Sequence, residues 1–164
     1  TLIRYAKSLY SNSLDVVKIG FIDELKVILV TPEFRILTKD ARKILPNEVP
    51  MKSFIANMGN SCMITAAFSK NDYSLLARSL NDVIVEPARS KLIKGFYEVK
   101  KAALDAGADG MTISGSGSTV FAITNDGIKA KKIEKAMVGA FSKAGVKSES
   151  IVTEMDAEGT RLVK

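Results

Sequence analysis

Histidine and tryptophan are absent from this chain of 164 residues, cysteine occurs once and proline four times. Each shortage excludes chemistry. Without histidine there is no Ser-His or Cys-His nucleophile pair and no imidazole general base, and most zinc sites are closed off. Cys62 alone can make neither an internal disulfide nor a cysteine-ligated metal site, a usage that suits a reducing cytosol. No run approaches the roughly 18 apolar residues of a membrane span. Thr1-Leu2-Ile3-Arg4-Tyr5 has neither the apolar stretch nor the cleavage site of a signal peptide, and a start at threonine reads as a piece of something longer. Hydroxyls, carboxylates, lysines, arginines and backbone amides remain to do the work.

What is present suffices for folding. With 46% hydrophobic and 26% charged residues, the composition is that of one packed domain and not of a disordered segment. Lysine and arginine (24) outnumber aspartate and glutamate (18), for a net charge of +6. That excess favours an anionic partner such as a nucleotide, a phosphate, a nucleic acid or an acidic protein, and selects none of them.

Residues 14–30 read as two extended runs, Asp15–Ile19 and Lys26–Val30, the second stopping at Pro32. A short helix is expected over 39–45, capped by Thr38 and ended by Pro46. A longer one fits 51–69, with Phe54, Ile55, Met58, Cys62, Met63 and Ala66 at helical spacing as its apolar stripe. Another runs from Asp72 to Val83, with Leu75, Leu76, Leu80 and Val83 on one face. Residues 95–106 form a further helix that Gly107 stops. The period then changes to strand, small-residue turn and strand over 109–124, followed by a helix over 128–144 and a final strand at Ser150–Thr153. The hairpin makes at least one strand pair antiparallel. The reading is α+β: a ferredoxin-like, mostly antiparallel four-stranded sheet with helices on one face, in one domain spanning 1–164.

The turn Ser114-Gly115-Ser116-Gly117-Ser118-Thr119 is the first candidate site. Two glycines and four hydroxyl residues let backbone approach a ligand while amide and hydroxyl donors converge, as a phosphate loop requires. Extended runs on both sides argue against a flexible linker; a plain hairpin turn stays open. No lysine follows Gly117, so it is not a Walker A loop, and Val120 starts a strand where a dinucleotide fingerprint would open a helix. Nor is Ser116 a nucleophile-elbow serine, since the flanking glycines are too close and no histidine exists. The second candidate is Thr38-Lys39-Asp40-Ala41-Arg42, where a hydroxyl and a guanidinium one helical turn apart could meet one carboxylate; a plain cap with a surface arginine is the competing reading. Arg89, after Pro87, is a similar case. Lys94-Gly95-Phe96 starts like an RNA-recognition strand, but Tyr97 and Glu98 break that motif and Phe96 falls on a helical core stripe, which argues against nucleic acid.

Three segments together resemble the homoserine kinases of the GHMP family of small-molecule kinases. They are Leu37-Thr38-Lys39-Asp40-Ala41-Arg42-Lys43-Ile44-Leu45-Pro46, Asn81-Asp82-Val83-Ile84-Val85-Glu86-Pro87-Ala88-Arg89, and the run from Gly107 to Ala122 that contains the glycine loop. Their order and spacing match that family's C-terminal half. The resemblance implies that Arg42 and Arg89, with Thr38 beside them, hold the carboxylate of L-homoserine, and that Gly115 and its neighbours approach the substrate hydroxyl and the phosphates of ATP. No catalytic residue and no metal ligand is assigned to this chain. The ATP cradle and the Mg²⁺ carboxylate are implied to lie in an N-terminal domain, with which residues 1–20 would pair as strands; the isolated chain is expected to be inactive. The implied whole is a cytoplasmic enzyme of threonine biosynthesis, and the family's tendency to dimerise points to a homodimer. The sequence departs from the family at two positions, Ser118 and Lys94, where proline is usual. Another GHMP kinase, of mevalonate or shikimate type, and a non-catalytic ferredoxin-like ligand sensor are the alternatives.

Overall fold

The computed structural model describes residues 18–157. Its central strand, β1 (Lys26–Pro32), is followed by α1 (Thr38–Lys43), α2 (Met51–Lys70) and α3 (Tyr73–Ser79). Next come α4 (Val85–Arg89), a 3₁₀ turn (Ser90–Leu92) and α5 (Phe96–Asp105), then the hairpin of β2 (Gly110–Ile113) and β3 (Val120–Thr124), and finally α6 (Gly127–Lys143) and β4 (Ser148–Glu154). The sheet order is β2-β3-β1-β4 and every pairing is antiparallel. Ile28 faces Ala122 on one side and Val152 on the other, so β1 is bonded along both edges. This is the expected α+β, ferredoxin-like arrangement. None of the helices among the described residues is long and apolar enough to cross a membrane.

Alternation along the strands divides the core. Ile28, Val30, Val120 and Ala122 point to the face covered by α5 and α6, where Phe96, Val99, Ile133, Met137 and Phe141 are buried. These are the helices expected on one face. The opposite face is not bare: Val27, Phe121 and Ile123 pack with Ala67 at the end of α2 and with Leu75 and Leu76 of α3. Helices thus lie on both faces, an arrangement the one-face expectation did not contain.

Local chemistry explains the ends. Asp72 caps α3 by accepting from the Leu75 N–H at 2.8 Å, and Asp126 caps α6 by accepting from Ile128 and Lys129. Those two N–H bonds, first that of Lys129, hold the Asp126 carboxyl below its ordinary range. α2 stops at Asn71, which adopts φ 52 and exchanges side-chain bonds with Asp23. Tyr73 donates to Asp109 at 2.6 Å, tying α3 to the approach of β2; burial, that hydrogen bond and the Asp109 charge push the phenol upward.

Several expectations need correction. Thr38 is the first helical residue of α1 and not its cap, because Leu37 occupies the cap position without a side-chain bond. α3 ends at Ser79, not Val83, because the backbone at 81–83 is bonded to asparagines of α2 instead of continuing its own ladder. The apolar stripe of α2 faces outward: Phe54, Ile55, Met58 and Met63 are exposed, and Ala67 on the other side is the buried residue. Pro87 sits inside the unforeseen α4, where its missing N–H belongs to the first turn and costs no bond. Of the expected strand at 15–19, residues 15–17 lie outside the described residues and Lys18 and Ile19 are not in a strand. The pairing expected of residues 1–20 likewise falls mostly outside them.

Phe141 is fully buried between α6 and the sheet, so Phe141→Ala should cost ~3–5 kcal/mol in urea unfolding. Ile151→Ala, on the exposed side of β4, should change stability by no more than about 0.5 kcal/mol.

Candidate functional site

The glycine loop closes the β2–β3 hairpin. Ser114 N–H donates to the Thr119 carbonyl at 2.9 Å, extending the ladder by one step, and Gly117 N–H turns back to the Ser114 carbonyl at 3.0 Å. Gly115 (φ +60) and Gly117 (φ +84) occupy the left-handed region. They differ in surroundings. A Cβ on Gly117 would meet Ile113, Ile36 and Ile93 at 3.4 Å, whereas one on Gly115 would meet nothing within 4 Å. Gly117 therefore serves packing, and Gly115 presents bare backbone to open space.

The hydroxyls of the loop divide in the same way. Ser118 is buried and donates to the Phe34 carbonyl at 2.7 Å; Thr119 shares a 3.0 Å bond with Thr31 at the end of β1. These two, expected to face phosphate, pin the loop to the segment after β1 instead. Ser116 lies 3.5 Å from the Gly117 carbonyl, a weak contact. Ser114, Gly115 and Ser116 are the part left for a ligand.

Arg89 joins this loop to α1. Its Nε donates to the Ala41 carbonyl at 3.1 Å and its Nη1 donates to the Gly115 carbonyl at 2.8 Å. Those bonds leave the Nη2 donors and one on Nη1 for a ligand, and the guanidinium stays half-buried. Ala41 is the buried residue of α1, so its neighbour Arg42 and, one turn earlier, Thr38 are exposed on the solvent side. The structure thus brings Arg89, Gly115 and the last turn of α1 together. The hydrogen bonds do not tie Thr38 or Arg42 directly to the loop.

Residues outside the expected site fix Arg89 in place. Asp82 accepts from the N–H groups of Ile84, Val85 and Glu86 and from Asn57 of α2 at 2.7–3.1 Å. Asn57 in turn accepts from Val83 N–H at 2.9 Å, and Asn60 donates to the Asn81 carbonyl at 2.8 Å. Burial raises the Asp82 carboxyl, but the bonds from Asn57 and the three N–H groups outweigh it and hold the carboxyl below its ordinary range. Glu86 pairs with Lys100 of α5, whose ammonium stands 5.9 Å from the Phe96 ring centroid. Ser90 bonds both the Pro87 carbonyl and Tyr97. The sequence signal for Asp82 was an acidic side chain just ahead of a short apolar run that begins a helix. For Asn57 there was none, because its partner is distant in sequence.

The concavity beside the loop is lined by Glu33 and Glu149 as well as Arg35 and Ser118, a mixture that does not favour an anion. Among the described residues no cluster of three acidic, cysteine or histidine side chains could hold a metal ion.

The four-stranded antiparallel sheet with its helices belongs to a known class. Residues 64–143 match the family described as GHMP kinases C terminal, and the chain carries a GHMP kinase C-terminal domain. Within that class it is homologous to homoserine kinases. It is 40% identical over 153 residues to the homoserine kinase of Chloroherpeton thalassium, covering 93% of this chain and 48% of that protein. With the homoserine kinase of Arabidopsis thaliana it shares 43% identity over 142 residues, 85% of this chain and 38% of the relative. A crystal structure of homoserine kinase from Cytophaga hutchinsonii superposes with a TM-score of 0.86 at 41% identity, covering 94% of this chain and 48% of that one. The chain spans about half the length of the curated relatives it matches.

Asp82→Ala should destabilise the fold by ~1–3 kcal/mol at neutral pH, since several part-buried donors lose their acceptor. Because the folded carboxyl titrates below its ordinary 3.8, its contribution is complete above that value and fades as pH falls through the lower folded one. In urea titrations at decreasing pH, the gap between wild type and variant should therefore close.

Proposed function

We propose that this chain is the substrate-binding half of an ATP-dependent homoserine kinase, acting within a longer protein in the cytoplasm as a step of threonine biosynthesis. The observation that carries the reading is the Arg89 bracket, which joins the carbonyl of Ala41, beside Arg42, to the carbonyl of Gly115. The Arg89 guanidinium, which has donors to spare, and the open backbone of the glycine loop are thereby kept in one place, with Arg42 next in sequence to the bridged Ala41.

In this reading Arg42 and the remaining Arg89 donors hold the carboxylate of L-homoserine, and Thr38 supplies a hydroxyl on the same side. The substrate hydroxyl oxygen attacks the γ-phosphorus of ATP, the bond to the bridging β–γ oxygen breaks, ADP leaves with that oxygen and its electron pair, and the hydroxyl proton passes to solvent water. Ser114, Gly115 and Ser116 line the place where charge develops on the phosphoryl oxygens, so fixed dipoles meet it without reorganising. Among the described residues no three acidic, cysteine or histidine side chains stand together, and this reading assigns no residue of the chain to Mg²⁺. In this reading the nucleotide cradle and the metal carboxylate lie in the other half of the enzyme, for which the roughly twofold longer relatives leave room.

Steady-state kinetics on a protein containing both halves test the assignment. Arg42→Ala should weaken homoserine binding by ~2–5 kcal/mol, the range for leaving one partner of a desolvated charge pair unmatched, with little change in the KM for ATP. An unchanged homoserine KM would remove Arg42 from the site. Arg89→Ala should impair both substrates, because the loop loses its anchor as well. Mevalonate or shikimate outperforming homoserine in the same assay would reassign the substrate, and the 164-residue chain alone should show no homoserine-dependent ATP consumption.

A further inference from the structure

α5 and α6 run antiparallel over the first core cluster. A Cβ on Gly95, just before α5, would stand 2.8 Å from the Ala144 Cβ at the end of α6, and Gly107, after α5, lies beside the Lys129 side chain near the start of α6. Their apolar sides, with Phe96, Val99, Ile133, Met137 and Phe141, are buried against the sheet. Away from it, one row of residues from each helix borders a groove of about 920 Å³. The half-buried and buried part of its lining is small: Ala102 and Ala106 on the α5 side, and Ala136, Gly139, Ala140 and Ala144 on the other.

The rims are cationic. Lys94 and Lys101 stand on one side and Lys132, Lys135 and Lys143 on the other, all exposed, against two carboxylates, Glu98 and Asp105. Lys101 is paired with Asp105 at 2.6 Å; among the described residues no carboxylate stands within ion-pair distance of the other four lysines. Gly139 is the second observation. It lies inside α6, where glycine is the least favourable residue after proline, and its backbone is helical, so no special conformation requires it. A Cβ there would meet nothing within 4 Å, so no close contact within the chain requires it either. What a glycine at that point permits is close approach from outside.

Together these features select the occupant. Lys132 and Lys143 are about 16 Å apart along α6, too far to converge on one small anion. A straight trough between two helices, lined by alanine and glycine, lets a third helix approach to the short end of the usual interaxial range. Rim lysines on both sides then face acidic residues on both flanks of that helix, a complementary arrangement of charge. Nucleic acid fits less well, since the groove offers no arginine to phosphate and no aromatic ring to a base, and carries two carboxylates of its own.

We propose that the α5–α6 groove is a docking site for an acidic amphipathic helix of a partner protein, with small or apolar residues along its seam and aspartate or glutamate on both flanks. The proposal stands apart from the kinase assignment, because none of Thr38, Arg42, Arg89 and the glycine loop lines the groove. A helix seated there would leave the candidate site open.

Fluorescence anisotropy with a labelled peptide of about 20 residues tests it: three heptads with alanine at a, leucine at d and glutamate at e and g. The peptide should bind the chain with a micromolar dissociation constant that rises as sodium chloride goes from about 50 to about 300 mM, and its counterpart with lysine at e and g should not bind. Lys132→Glu combined with Lys135→Glu should weaken binding at least tenfold, and Glu98→Lys should strengthen it. Gly139→Leu should weaken it at least tenfold without lowering the thermal midpoint, because the new side chain fills the groove and not the core, while Gly139→Ala should raise the midpoint. Absence of binding, equal binding of the two peptides, or indifference to Gly139→Leu and to the double charge reversal overturns the proposal. A DNA duplex that binds more tightly than the peptide and displaces it would give the groove to nucleic acid and overturn it as well. So would Lys132 and Lys135 that are shielded from acetylation in a protein containing both halves but not in the chain alone, since the rest of the polypeptide would then be the occupant.

Discussion

Two backbone carbonyls from segments far apart in sequence, Ala41 in α1 and Gly115 in the hairpin loop, accept from one guanidinium. The candidate site depends on that arrangement. A guanidinium is planar and charged at any physiological pH, and its donors diverge in fixed directions, so it can bridge two acceptors and still offer others to a ligand. Lysine could not reproduce the bridge, because its donors radiate from a single nitrogen. Everything that fixes α4 acts on this bridge: the Asp82 carboxylate at its start, the Glu86–Lys100 pair against α5 and the Ser90 bonds beyond it.

The loop shows how one short motif separates support from presentation. Gly117, Ser118 and Thr119 face the protein, where Ile36, Phe34 and Thr31 hold them. Gly115 faces outward with no atom near the place a side chain would occupy. The Ser118 hydroxyl anchors the loop to the Phe34 carbonyl, just beyond the end of β1. The backbone of the loop is thus held on one flank and open on the other, the arrangement a preorganised anion site needs.

α2 shows the limit of periodicity. Its helix and its approximate ends follow from apolar residues at helical spacing, but spacing alone cannot say whether a stripe faces a core or a partner. The polar face of α2, with Asn57 and Asn60, turns inward because it supplies acceptors and donors for the irregular backbone at 81–83, which has no helix or strand ladder of its own. The apolar face was left outside. Likewise α3 stopped early: Asn60 and Asn57 bond the Asn81 carbonyl and the Val83 N–H, and the Asp82 carboxylate then accepts from the N–H groups that lead into α4.

The sequence by itself determined the element order from β1 to β4 apart from α4 and the 3₁₀ turn after it, the antiparallel hairpin and its glycine turn, and the residues that carry the family resemblance, because period, turn chemistry and motif are local properties. Arg89 was legible as a candidate; its bond to Gly115 was not. Only the tertiary structure decided which loop hydroxyls point inward, which face of α2 is covered, and that Asp82 and Asn57 position the site. Those outcomes turn on contacts between segments far apart in the chain, where buried donors must find acceptors that no local pattern encodes.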